Sequence, residues 1–405
     1  MTVGLDHDRT RSLALATGGL AALAAGMGIG RFVYTPILPA MIEGLGLTTS
    51  EAGLIASANF LGYLVGALLA ASPSLAGPRR VWLLAALVVG AATTGAIGLA
   101  SSTPAFVALR FIGGAASAFV LIFASAVVFD GLAQMNRSGL AVLHFAGVGI
   151  GIALSATLVS GLLAFGADWR PLWFASGAVS LLAVPAVAWL IPEANPARAA
   201  APSPSPVTDP KPGLVALVLA YGLFGFGYVI TATFLVAIVR AAPTVRAVES
   251  WIWVVVGLTA APSVALWTSL ASRLGIARTF AGACLVEAIG VAASVLWPTR
   301  VGALLAATLL GGTVMGITAL GLAGARRLAT GDPRRVLSLL TASFGTGQIA
   351  GPSVAGFLYG HTGGFTVPSL LAAGALIAAA GIVTRVRLPP GPEPATGQGS
   401  ETYAD

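Results

Sequence analysis

A guanidinium sits inside a stretch that otherwise reads as membrane: in "GMGIGRFVYTPILPAM" (26–41), Arg31 is the only charged residue. A charge near the centre of a bilayer costs roughly 2.5–3.5 kcal/mol on insertion scales, so such residues normally face a cavity or a partner. Arg31 lies eight residues before Pro39, ~12 Å in from that end at 1.5 Å per residue. A dry cavity that must hold an anion needs a permanent cation with directed donors, and guanidinium supplies a planar fork that keeps its charge. Met27 and Tyr34, at i−4 and i+3, share its helical face. Pro36 withdraws the amide that would have bonded the Phe32 carbonyl. The alternative is an arginine that snorkels to the headgroups.

Other residues could add to that chemistry. Arg110 lies six residues inside Pro104, where snorkelling competes with a structural or coupling role. Glu287 is the acid placed well inside an apolar run. It either carries a proton, neutral while dehydrated and ionised when wetted, or packs helices as a hydrogen-bonded acid. His144 titrates in the range of a proton relay, or is an interfacial histidine. Gln348 and Asn59 are polar groups at cavity depth, each a ligand contact or an interhelical hydrogen bond. Tyr34, Phe224 and Tyr228 offer aromatic faces. Trp251, Trp253 and Trp297, at the ends of apolar runs, read as interfacial belt anchors.

Several chemistries are excluded. No glycine-rich phosphate loop followed by Lys-Ser/Thr is present, so an ATP motor is not expected in this chain. Three histidines without ligand spacing and a single cysteine, Cys284, offer neither a metal set nor an internal disulfide. Gly-x-Ser-x-Gly is missing, and neither an enzyme nor a cofactor is expected.

The elements that must position these side chains are membrane helices. Of 405 residues 57% are hydrophobic and 9% charged, against about 25% charged in a soluble domain. A net charge of +7 would suit nucleic acid, but the basic residues are dispersed over short connectors without interleaved aromatics. Spans need about 20 apolar residues. Twelve are predicted near 13–40, 52–72, 81–101, 104–129, 139–165, 170–191, 213–239, 250–271, 279–298, 300–323, 336–360 and 365–387. The fold class is thus an all-α membrane protein with two six-helix bundles, 1–191 and 213–388. A Pro/Ala/Ser-rich linker (192–212) joins them, and a polar tail (389–405) follows. With the N-terminus inside, fifteen basic residues fall on the inner side and four on the outer, leaving Arg31 and Arg110 in the membrane. Both termini are therefore expected in the cytoplasm.

The halves also repeat. "GIGRFVYTPIL" (28–38) aligns with "GFGYVITATFL" (225–235), setting Arg31 against Tyr228. "LRFIGGAAS" (109–117) aligns with "ATLLGGTVM" (307–315), setting Arg110 against Thr308. Gly77 and Arg80 match Gly275 and Arg278, and Gly147/Gly151 match Gly347/Gly351. Duplicated six-helix halves around a central site are an architecture for alternating access.

On these residues the chain resembles the major facilitator superfamily. "SLASRLGIAR" (269–278) is similar to the Gly-x-Leu-Ala-Asp-Arg-x-Gly-Arg-Arg signature, with Ser272 where the acid stands. "ASPSLAGPRR" (71–80) lacks that acid too, and Arg110 with Gly114 matches the Arg-x-x-x-Gly element of the fourth helix. "GIGRFVYTPILP" with "NFLGYLVGALL" (59–69) looks like the YbfB/YjiJ-type group of bacterial transporters. The resemblance implies a multi-pass protein of the bacterial cytoplasmic membrane in which Arg31 and Tyr228 face one another across the cavity. It implies gating roles for Arg273 and Arg278, and sets the ninth helix at the periphery. The expectation is a monomeric secondary transporter of a small organic anion, coupled to protons. Efflux of hydrophobic compounds is one alternative. A membrane sensor of the same fold is another, but it would call for an attached signalling domain.

Overall fold

The computed structural model describes residues 2–72, 75, 77–193, 212–328 and 333–386. The residues proposed as linker and tail lie almost wholly outside these ranges. Thirteen α-helices run in order among the described residues: α1 (Thr2–Leu23), α2 (Tyr34–Leu45), α3 (Thr49–Ala70), α4 (Arg79–Ala96), α5 (Thr103–Gln134), α6 (Ala141–Ala164), α7 (Trp169–Leu190), α8 (Pro212–Ala241), α9 (Glu249–Leu274), α10 (Ile276–Leu296), α11 (Arg300–Leu328), α12 (Pro333–Thr362) and α13 (Thr366–Val383).

Among the described residues, eleven spans are long and apolar enough to cross a bilayer. The remaining helix, α12, has the length but carries Gln348 among serines, threonines and glycines. Short caps set the turns. Thr48 and Glu51 form a reciprocal capping box at α3, and the Asp168 carboxylate accepts from Arg170 N–H at α7. Gly77 and Gly275, matched by the repeat, both take positive φ (119° and 84°) in the loops before α4 and α10, where a side chain would be strained.

The first span departs from the continuous helix expected over 13–40. α1 ends at Leu23, a π-helical turn covers Ala24–Ile29, and α2 starts only at Tyr34. Pro36 has no amide, so the Phe32 carbonyl takes the Thr35 N–H instead, at 3.3 Å. The glycines permit the widened turn: a Cβ at Gly28 would lie 2.5 Å from Gly151 Cα.

Packing repeats between the halves. α3 packs on α5, α4 on α5 and α7, and α1 on α6. In the second half α9 packs on α11, α10 on α11 and α13, and α8 on α12. The two glycine pairs serve the same purpose, since Gly147 and Gly151 receive α1 and the π-helical turn after it, while Gly347 and Gly351 receive α8. Two seams join the halves, α3 with α12 and α6 with α9. Gly53 meets the Pro352 carbonyl there, and Gly149 meets Gly257 and Ala261 backbone to backbone.

The cross-half hydrogen bonds lie from the centre toward the face opposite the α7–α8 linker. Thr35 donates to Ala232 O (2.6 Å), Ser50 to Gly356 O (3.1 Å), Ser57 to Ile349 O (2.7 Å) and Ser160 to Ser250 O (3.1 Å). Arg240 closes that face, reaching Glu43 across the seam at 3.2 Å and Glu249 at 2.5 Å. Toward the linker face, Leu68, Leu69, Leu339 and Thr346 are exposed. Trp251 and Trp297 are exposed at helix ends as expected of belt residues, but Trp253 is 2% exposed and is no anchor.

Candidate functional site

Arg31 does not snorkel. It follows the broken turn, is 4% exposed, and its Nη2 donates to Gln348 Oε1 at 2.9 Å. Gln348 Nε2 in turn donates to the Tyr228 hydroxyl. The two residues aligned by the repeat thus face one another across the seam, with Gln348 of α12 between them. The guanidinium also lies over two rings of α3, with its carbon 4.0 Å from the Tyr63 centroid and 4.8 Å from Phe60. Phe60 and Tyr63 were not singled out in the sequence. Their i, i+3 spacing in "NFLGYLVGALL" was the available signal, hidden by an apolar surround.

Tyr228 begins a ring stack. Phe224 lies 5.2 Å from it and Phe344 5.8 Å, while Tyr221 stacks on Phe344 at 4.8 Å. Phe60 and Tyr228 are buried, but Tyr63 and Phe344, each about one turn nearer the linker face, are only half-buried. Approach to the charge is therefore from the linker side. One void beside Arg31, near Thr35 and Ala56, and another beside Tyr228, near Phe32 and Trp253, each have room for little more than a water.

Arg110 is buried and braces the broken turn. Its Nη1 donates to Gly30 O at 3.2 Å and its Nη2 to Arg31 O at 3.0 Å. Tyr34 is spent on the same brace rather than on Arg31's face. The Arg110 guanidinium lies over its ring at 5.0 Å, and its hydroxyl donates to Ala52 O at 2.8 Å. The break between residues 30 and 34 undoes the i+3 relation. Asn59 likewise ties α3 to α5, donating to Arg110 O at 2.9 Å. The repeat register shifts by one here: Gly114 meets Asn59 O and Gly311 meets Val256 O. Buried Ala307, rather than exposed Thr308, is thus the counterpart of Arg110.

Among the described residues no carboxylate pairs with these cations, and the ion pairs are Arg79–Asp130, Arg80–Glu193 and Arg240 with Glu43 and Glu249. Arg31 Nε and Arg110 Nε have no hydrogen-bond partner. His144 is buried rather than interfacial, packed on Gly19 and Phe129, with Nε2 3.0 Å from Ser125 Oγ. Arg273 and Arg278 are exposed on either side of Gly275, in the last turn of α9 and the first turn of α10. At the matching junction Arg79, the first residue of α4, binds Asp130 at 2.6 Å, so the first half finds an acid on α5 where the signature aspartate is missing. Glu287 is turned into the second bundle and fully buried, although α10 lies on its flank.

Two pseudo-symmetric bundles meeting at a buried polar site define a membrane transporter of the major facilitator fold. The family model described as "Uncharacterised MFS-type transporter YbfB" matches residues 23–384, and the chain belongs to that family. It is 31% identical over 385 residues to a chloramphenicol resistance protein of Streptomyces lividans, covering 90% of this chain and 94% of that one. An 85-residue stretch is 46% identical to a probable high-affinity nitrate transporter 2.4 of Oryza sativa subsp. japonica, covering 20% of this chain and 17% of that one. Two crystal structures of the nucleoside transporter NupG share the fold at 14% identity. A point mutant superposes with TM-score 0.71 over 93% of this chain and 99% of that one, and a second structure with 0.65 over 93% and 98%. The protein is thus a small-molecule transporter and not an enzyme.

Proposed function

We propose that this transporter moves a small organic anion by alternating access, driven by a proton gradient. The observation that carries the reading is Arg31: a buried cation at the seam, held by the neutral Gln348 acceptor and three ring faces, with Nε unpaired. A carboxylate or sulfonate could take both the Nη and Nε donors as a fork. Tyr228, Phe224 and Phe344 would receive an attached ring. The voids are smaller than such a substrate, so binding requires the halves to separate toward the linker face.

The orientation is proposed from the charge bias: linker and termini in the cytoplasm of a bacterial cell, with bundles 1–191 and 213–388 in the cytoplasmic membrane. The described state is then zipped on the outside, and the separation that admits substrate is on the inner side. Cysteines placed at Thr48 or Thr362 in a Cys284→Ser background should label from outside intact cells, and one at Ser205 should not. Outside labelling at Ser205 would reverse the orientation.

A second reading, efflux of uncharged ring compounds, is favoured by the chloramphenicol resistance relative and by the ring stack. Thermal melting of the purified monomer with benzoate, benzenesulfonate or chloramphenicol separates the two, because a ligand bound to the folded state alone raises its melting temperature. The anion reading expects stabilisation by benzoate or benzenesulfonate that disappears in Arg31→Ala. Stabilisation by chloramphenicol alone, unchanged in Arg31→Ala, would install the second reading instead.

A further inference from the structure

We propose that Glu287 is the group that carries the coupled proton, and that it acts on the substrate site through Tyr228. Glu287 is 0% exposed, and neither carboxylate oxygen has a hydrogen-bond partner. The Thr313 hydroxyl of α11 lies alongside but donates to Leu309 O at 2.6 Å. The Thr313 proton is thus committed to its own helix, which leaves Glu287 at most a weak contact with the hydroxyl oxygen. By the offset that aligns Gly77 with Gly275, Glu287 answers to Val89, which is 42% exposed on the first half. The shared architecture therefore does not demand an acid. An unpaired acid in a dry helix interior is costly, and such residues mark proton and ion paths.

Its surroundings leave it free to titrate. The titratable groups whose charge it can feel are Cys284 on α10 itself and Tyr228 on α8. α9 carries charge only at its ends, Glu249 and Arg273, as α11 does with Arg300, Arg326 and Arg327; α13 carries none. No fixed cation holds Glu287 ionised. The route to the site is the hydrogen-bond chain. Gln348 Oε1 accepts from Arg31 and Nε2 donates to the Tyr228 oxygen, so the Tyr228 O–H is left to donate. The charge of an ionised Glu287 is felt at that hydroxyl, and through it protonation would bias the chain.

The step involves one O–H bond. The carboxyl releases its proton to water when its side of the bundle opens, and takes one from water when the opposite side opens. An anion on Arg31 and an ionised Glu287 are like charges in one dry region, so anion binding favours the protonated acid and the two travel together. That symport direction rests on the organic-anion reading. The proton-carrying role does not, and its test uses no organic ligand.

The probe is the proton alone. Spin labels at Thr48→Cys and Thr362→Cys in a Cys284→Ser full chain, reconstituted in lipid nanodiscs, report opening of the face away from the linker. Pulsed-EPR distances between about pH 5 and about pH 9 should show the open population of the parent change by roughly tenfold, within the usual range of coupling between sites. Glu287→Gln, a neutral isostere, should be pH-independent and match the parent's acid form; Glu287→Asp should restore the dependence. A parent without a pH response, or a Glu287→Gln protein that keeps it, overturns the proposal. Should Glu287→Gln fail to fold, the same reading is taken from Glu287→Asp, whose titration midpoint must move. An unmoved midpoint is equally fatal. Loss of benzoate binding with this pH response intact would remove the anion reading and leave the proton site.

Discussion

In the first half, the helix that faces the seam carries Arg31 and is broken beside it. In the second half, the equivalent helix α8 runs unbroken from Pro212 to Ala241 and carries Tyr228. The break frees the carbonyls of Gly30 and Arg31, and Arg110 reaches over from α5 to take both. The unbroken helix needs no such clamp, and Ala307 stands where the clamp would be. A membrane-embedded charge thus brought with it a second charge and a backbone irregularity. A neutral hydroxyl of the same depth brought neither. The halves share packing and differ in what their centres must stabilise.

The comparison can be broken hardest at the glycines. A Cβ at Gly147 would lie 2.2 Å from Leu20 O, inside one half, and at Gly149 2.3 Å from Ala261 N, across the seam. Overpacking costs about 1–3 kcal/mol or more. Gly147→Val should therefore lower the melting temperature sharply, whereas Gly149→Val should melt like the parent and favour separated halves. Equal melting losses for both would mean that the seam is no weaker than the bundle.

The central polar chain sets the next scale. A hydrogen bond to a charged group contributes ~1.5–3 kcal/mol, and each 1.4 kcal/mol is tenfold in affinity. Arg31→Ala should weaken benzoate binding by roughly ten- to a hundredfold, with Arg31→Lys intermediate because the fork is lost and the charge kept. Tyr228→Phe should cost less than about tenfold, since a neutral hydroxyl contributes ~0.5–1.5 kcal/mol. Calorimetric titration measures all three. An Arg31→Ala protein that folds and binds benzoate as the parent does would remove the basis of the contrast.

Arg110→Gln sharpens the assignment of brace against ligand. Losing two carbonyl contacts should lower the melting temperature of the first half by an amount equivalent to about 1.5–3 kcal/mol, at unchanged benzoate affinity per folded molecule. An affinity loss without a melting change would make Arg110 a ligand group. The smallest effect is expected at the ion pair across the seam, where Glu43 is mostly solvated. Such pairs contribute ~0–1 kcal/mol. Glu43→Gln should shift the labelled seam distance by less than about fivefold in population, and the difference should vanish in high salt.

Much of this was legible without coordinates. Hydropathy summed over about 20 residues finds a membrane span whatever its neighbours are, so the crossing segments and their division into sixes could be read off the chain. The duplication set Arg31 against Tyr228 and Gly77 against Gly275, because a repeated unit folds twice in the same way. The glycine pairs on the sixth and twelfth helices could be read for the same reason.

The direction of each polar side chain was decided only by the tertiary structure. A helix in lipid is apolar toward the bilayer and apolar toward its neighbours, so no periodic stripe tells the two apart. By sequence Glu287 could carry a proton or pack helices, and packing against α11 and α13 turned it inward. Asn59 and Tyr34 looked like cavity groups, yet backbone carbonyls of Arg110 and Ala52 took their donors. Gln348 became the bridge because α12 packs at the seam and brings it to Arg31, 317 positions away in the chain. Where a side chain's alternatives are lipid, helix or cavity, the neighbour that satisfies its hydrogen bond decides, and that neighbour is fixed by packing distant in the chain.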